Sequence, residues 1–238
     1  MRRCTGRAIR AALLLAIAAC LALAAGCSGK PPVISRVFSR VTYARDPQTG
    51  GASESLSVFL VASDPDGIED LSAFYVIGDD AELFWKVEAS SWVKSMAEGE
   101  TWIGTNTLAV PGTLPLPGGD YRVMLQDAGG ETVEQTFTIP SDRPKADEQV
   151  YPRAEVKDGA IVVTGPYEKP EVRVYGSDGR FKMSFAADKS AGPIELNRIA
   201  AALPGLGEDF TFRVSAFDTK SGCDVESGPY ASRVLPPK

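Results

Sequence analysis

The 238 residues contain no histidine, and this bounds the chemistry at once. A serine or cysteine nucleophile served by an imidazole base cannot be assembled, nor can a zinc centre with histidine ligands. Ser91-Trp92-Val93-Lys94 has the Ser-x-x-Lys spacing in which a lysine amine can take a serine proton. The Lys-Thr-Gly strand and the helical domain that accompany such a pair are missing, so the spacing is read as coincidence. No two carboxylates are nominated by spacing for glycoside hydrolysis. The chain is therefore expected to be non-enzymatic, with no catalytic residue and no cofactor.

Asp64, Asp66, Glu69 and Asp70 put four carboxylates into seven residues. Calcium is a hard ion that takes oxygen ligands, and Asp64, Asp66 and Asp70 are the candidate ligands. No glutamate closes a calcium loop at the right distance. Asp64-Pro65-Asp66-Gly67 is also a turn in its own right, because Pro65 presets φ, Gly67 supplies freedom and Asp64 can bond its local backbone. The turn is the expectation here, without a metal.

The three tryptophans, Trp85, Trp92 and Trp102, fall within 18 residues of one another, with Tyr75 and Phe84 close in sequence. If Phe84 and Trp85 lie in a strand they point to opposite faces, which leaves one of them exposed. Exposed tryptophan and tyrosine anchor protein interfaces or stack on sugar rings; filling a core is the alternative. Trp85, Trp92 and Trp102 are the candidate binding surface.

The elements that would carry these residues are strands. Val33, Ser35, Val37, Ser39 and Val41 give a partial period of two, and Leu56, Val58, Leu60 and Ala62 alternate with Ser57, Phe59 and Val61, a run apolar on both faces as in a central strand. Leu71 to Ile77, Leu83 to Val87 and Thr107 to Val110 are further strands. Gly118 to Ile139 reads as a β-hairpin about Asp127-Ala128-Gly129-Gly130. A polar, proline-bearing linker follows at 141–150. Beyond it, strands are expected at 160–164, 171–175, 181–185, 210–216 and 230–235, with one helix over Ile194 to Leu203 ended by Pro204-Gly205. Turn-punctuated short strands at this spacing argue for an all-β chain of two β-sandwiches.

The first residues read as an export signal: Arg2, Arg3, Arg7 and Arg10, then an uncharged apolar run from Ala11 to Ala25. That run is too short to span a bilayer. Leu23-Ala24-Ala25-Gly26-Cys27-Ser28 resembles the lipobox of bacterial lipoproteins, with Ala24 where the family usually has leucine. The resemblance implies cleavage after Gly26 and lipidation of Cys27, palmitate among the acyl chains, and so a lasting membrane anchor. A plain signal peptide cut after Ala24 is the alternative. With Cys4 and Cys20 removed and Cys27 modified, Cys223 is left alone, so no intrachain disulfide is expected and the thiol should be buried.

Two further resemblances bear on fold. Gly118 to Ile139, with Asp64-Pro65-Asp66-Gly67-Ile68, resembles bacterial immunoglobulin-like domains, and Phe210 to Asp218 with Glu226 to Ser232 is similar to the last strands of fibronectin type III domains. Phe210 stands where the latter family has its corner tyrosine, and no tryptophan follows Trp102. The expected organisation is a signal peptide at 1–26, a lipidated spacer at 27–32, an immunoglobulin-like β-sandwich at 33–140, a linker at 141–150 and a fibronectin type III-like β-sandwich at 151–236. The whole chain carries 25 basic and 31 acidic residues, and losing the four leader arginines makes the remainder more acidic still, which speaks against nucleic acid as a partner. The expected function is a membrane-anchored envelope lipoprotein outside the cytoplasm, a non-catalytic protein-binding or scaffolding module. The alternative is a carbohydrate-binding or calcium-dependent adhesive module.

Overall fold

The computed structural model describes residues 29–187, 192–207 and 209–233. The leader, Cys27 and the end of the expected last strand beyond Arg233 lie outside the described residues. Among the described residues the chain is all-β apart from one short helix and three 3-10 turns.

The first eight strands are β1 (Val33–Arg45), β2 (Ala52–Ser63), β3 (Leu71–Gly78), β4 (Leu83–Glu88), β5 (Val93–Ala97), β6 (Glu100–Leu108), β7 (Gly119–Asp127) and β8 (Thr132–Ile139). They lie in two layers, β1-β2-β6-β5 and β4-β3-β7-β8. Alternation explains what lies between them. Leu56, Val58 and Leu60 of β2 and Ile103 of β6 meet Phe74 and Val76 of β3 and Val123 and Leu125 of β7 in one buried core. The hairpin expected at 118–139 is present, with Gly119 opposite Ile139 and Gln126 opposite Thr132.

The later strands are β9 (Arg153–Lys157), β10 (Ala160–Thr164), β11 (Glu171–Tyr175), β12 (Phe181–Ala186), β13 (Ile194–Glu195), β14 (Thr211–Asp218) and β15 (Cys223–Ala231), with helix α1 (Leu196–Ala202) before β14. Here the layers are β12-β11-β14-β15 and β13-β10-β9. Val172, Val174, Phe212 and Val214 face Ile161, Ile194 and the helix residue Ile199 in a second core.

Three expectations change in extent. The strand expected at Thr107 to Val110 begins at Glu100. Thr101, Thr105 and Asn106 blur its apolar period, and Gly104 in its middle is flat because the Phe59 ring covers it: a β-carbon there would lie 2.4 Å from that ring. The last strand begins at Cys223 rather than Tyr230. Ser227-Gly228-Pro229 has turn composition, yet Gly228 holds φ 133 within the ladder, against Arg213. The expected helix starts two residues late, because Ile194–Glu195 pairs with Ala160 and Ile161 first. The strands β5 and β9 were not legible: all five residues of β5 are exposed, so no apolar face marks it.

The two units are not joined by chain alone. β1 and β15 pair in parallel from Thr42–Asp224 to Arg45–Ser227, so the two four-stranded layers become one eight-stranded sheet, β12-β11-β14-β15-β1-β2-β6-β5. Each edge strand covers the other's open backbone groups. Tyr43 of β1, Val225 and Cys223 of β15, Ala216 of β14 and Tyr151 share the first core across this seam. Cys223 is buried as expected, and burial pushes its thiol pKa up.

The segment with linker composition is fixed along the same seam. Arg143 Nη2 donates to the Leu116 carbonyl (2.6 Å) and its Nε to the Pro140 carbonyl (2.9 Å), while Nη1 reaches Tyr43 Oη (3.0 Å) and Glu54 Oε2 (3.4 Å). Tyr43 donates in turn to the Pro144 carbonyl at 2.6 Å, and Tyr151 to that of Ala146 at 2.5 Å. The Arg143 and Glu54 side chains are 8% and 6% exposed, so neither charge can turn to water for compensation. Arg143→Met should therefore destabilise the protein by about 3–5 kcal/mol in urea unfolding, since it strands Glu54. The double variant Arg143→Met/Glu54→Gln should recover a large part of that loss.

Burial pushes the Tyr43 and Tyr151 phenols up to about 12, Arg143 and Arg45 respectively opposing the shift. A pKa raised in the folded state stabilises it fully below the unfolded value of about 10 and is lost as pH rises through 12. Stability should accordingly be flat up to about pH 10 and fall toward pH 12. Absorbance at 295 nm should show late-ionising tyrosines, and Tyr43→Phe should remove one of them.

Candidate functional site

Three chain segments meet at the end of the first unit where the chain enters. They are Gly29-Lys30, the 64–70 turn and the β7–β8 turn. The expected turn forms: the Asp64 carbonyl accepts the Gly67 N–H (3.1 Å) and Asp64 Oδ1 the Asp66 N–H (2.7 Å). Gly67 takes φ 119, a region open to glycine. Leu71 then starts β3, and Asp70 accepts the Ala128 N–H through its backbone carbonyl at 2.7 Å. This contact brings the two turns together.

Asp64, Asp70 and Asp127 each present a carboxylate oxygen within 4.8 Å of those of the other two. Asp66, expected with Asp64 and Asp70, is not in this trio; its Oδ2 accepts the Lys30 N–H at 2.8 Å. The place falls to Asp127, which is only 2% exposed. Its Oδ1 accepts the Glu131 N–H at 2.8 Å, while its Oδ2 and the Oδ2 of Asp64 accept nothing from the protein. Burial first, and then the charges of Asp127, Asp64 and Asp66, raise the Asp70 pKa. Asp127 was legible only as the first residue of a hairpin turn, because the contact that recruits it joins residues far apart in sequence.

The tryptophans do not share one surface. Trp85 turns inward on β4 as Phe84 turns out, 62% exposed. The Trp85 indole donates to the Ala109 carbonyl at 3.0 Å and lies over Tyr121. Trp92 stacks on Phe74, and both tryptophans lean on the first core. Trp102 is on the other side, on the outer face of the eight-stranded sheet, its ring 4.9 Å from that of Phe38. Phe59 covers Gly104 on this face, and Phe38 and Val93 are 47% and 51% exposed. Arg36 lies 5.8 Å from the Trp102 ring and 6.0 Å from the Phe38 ring.

Farther along the same face Arg40 sits 4.7 Å above Phe217 and 3.5 Å from Asp224, so β1 and the second unit touch on the outside as well. Burial raises the Asp224 pKa, with Arg40 pulling the other way. Arg213 bonds Glu226 at 2.7 Å and faces the Tyr175 ring. The face thus carries alternating aromatic and arginine side chains from Trp102 to Tyr175.

Ser91 and Lys94 do not act together: the Ser91 hydroxyl donates to the Glu88 carbonyl and Lys94 pairs with Glu69. A cleft of about 220 Å³ in the second unit is walled by Pro152, Ile161, Thr164, Tyr167 and Pro170, and its described lining residues include no carboxylate, amine or thiol.

Their placement separates the tryptophans by role. Trp85→Ala and Trp92→Ala should each cost about 2 kcal/mol of stability, less than for a fully buried tryptophan. Trp102→Ala should cost about 1 kcal/mol, the scale of its ring contact with Phe38. Denaturant midpoints measure all three. Against known proteins, no family model matches this chain and no curated protein matches it, so its functional reading rests on its own residues.

Proposed function

We propose that this chain is a lipid-anchored envelope protein whose two units, immunoglobulin-like β-sandwiches in tandem, form one stiff platform that binds a protein partner without catalysis. The observation that carries the reading is the outer face of the eight-stranded sheet. It runs unbroken across both units and holds Phe38, Phe59, Val93, Trp102 and Phe217 among arginines. Aromatic residues and arginine supply most of the binding energy where proteins meet. A joined sheet presents them without the ordering cost of two swinging domains.

The strand orders support the family reading. A first unit of β1-β2-β6-β5 over β4-β3-β7-β8 corresponds to strands A-B-E-D over C′-C-F-G. The second, β13-β10-β9 over β12-β11-β14-β15, corresponds to E-B-A over C′-C-F-G, as in fibronectin type III domains. On this assignment the seam joins strand A of one domain to strand G of the next. The anchor and the site outside the cytoplasm rest on the leader and Cys27. Among the described residues no helix is long and apolar enough to cross a membrane.

Two measurements test the reading. Metabolic labelling with an alkyne palmitate should mark the protein, and Cys27→Ala should abolish the label and release the chain from membranes. A photo-crosslinking residue at Phe38 or Val93 should trap one discrete protein in intact cells, while the same residue at Thr136, on the outside of the opposite layer, should trap none. Labelling that persists in Cys27→Ala refutes the anchor. Equal trapping at all three positions, or at none, refutes the outer face as the interface.

A further inference from the structure

Asp127 is a buried carboxylate with one oxygen unanswered by the protein. Such an oxygen is costly unless it meets a donor or a cation. Around it stand Asp64, Asp70 and Asp66, and every charge acting on Asp70 is negative. Elsewhere in the fold a buried acid is met by a guanidinium, as Glu54 is by Arg143; here the neighbouring side chains add more oxygen. The spacing also suits a single ion. Calcium holds oxygens at 2.3–2.6 Å, so two ligands of one ion lie at most about 5 Å apart. The three carboxylates satisfy that limit in every pair, with oxygens within 4.8 Å of one another.

We propose that Asp64, Asp70 and Asp127 bind one calcium ion, and that the ion fastens the entry of the chain, Gly29-Lys30, to the end of the first unit. The Oδ2 of Asp127 faces that entry: a β-carbon on Gly29 would lie 3.7 Å from it and 3.3 Å from the Oδ2 of Asp66. Asp66 already holds the Lys30 N–H. It thus grips the tether while the other three carboxylates hold the ion, water filling the remaining coordination positions. Glycine at 29 leaves room for that approach. The ion would cross-link segments brought together from residues 29, 64–70 and 127, and it would act whether or not the outer sheet face binds a protein.

The test uses the full chain, stripped with a chelator and titrated with calcium chloride by calorimetry and by melting. Wild type should bind one calcium per chain with a dissociation constant of about 0.1–1 mM, the range of extracellular modules. Its Tm should rise by roughly 3 °C or more at saturating calcium. Amide protection at Gly29 and Lys30 should rise with it. Asp127→Asn should lose the calcium response and melt no lower than wild type in chelator, because it removes a buried unpaired charge. Asp64→Asn, at a less buried position, should also lose the response and serves if Asp127→Asn fails to fold. Absence of heat and of a Tm shift in wild type up to about 10 mM calcium overturns the proposal. So does a calcium response in Asp64→Asn equal to that of wild type.

Discussion

Two edge strands, one from each unit, run parallel and bond to each other between Thr42–Arg45 and Asp224–Ser227. A parallel pair between separate sandwiches cannot come from a tight turn, and about 180 residues of intervening chain bring β15 back beside β1. The pairing closes two open edges that would otherwise invite association with other chains. It also merges apolar surface: Tyr43, Val225, Cys223 and Ala216 belong to the first core though they come from both units. The segment from Pro140 to Tyr151 is held because it crosses this seam, where Arg143 and Tyr43 tie it down.

The seam and the acidic corner are two solutions to one electrostatic problem. Glu54 and Asp127 are both buried acids. Glu54 is answered by the Arg143 guanidinium and by the Leu116 N–H, so its cost is met from within the chain. Asp127 is answered on one oxygen only, by a backbone N–H, and Asp64 and Asp70 bring further carboxylates beside it. The first arrangement fixes the units to each other without outside help. The second calls for a cation to complete it, and it lies beside Gly29 and Lys30.

The outer sheet face follows from the same geometry. Alternation sends Arg36, Phe38, Arg40 and Trp102 outward because Val41, Tyr43 and Ile103 must turn inward. The parallel register then aligns Thr42 with Asp224, setting Arg40 beside Asp224 and Phe217. An aromatic surface of this extent exists only while the seam holds, which ties the proposed binding face to the stability of the join.

Alternation and turn composition were legible in the residues themselves. Leu56-x-Val58-x-Leu60 marked a central strand, and Asp127-Ala128-Gly129-Gly130 marked the hairpin turn. Asp64-Pro65-Asp66-Gly67 marked the turn before β3. These are local properties, set by φ preferences and a period of two. The lack of histidine, the basic N-terminal segment and Cys27 likewise belong to the sequence alone. What depended on distance along the chain was not legible. Trp85 and Trp92 went to the core and Trp102 to the outer face, although the three are neighbours in sequence. Asp127 replaced Asp66 in the acidic trio, since a turn-to-turn contact selects it. Arg143, in a segment of linker composition, became the buried partner of Glu54, 89 residues away. A one-dimensional pattern encodes which face a residue takes within its strand. Which strands become neighbours, and so which charges and rings meet, is decided only when the layers close and the edges pair.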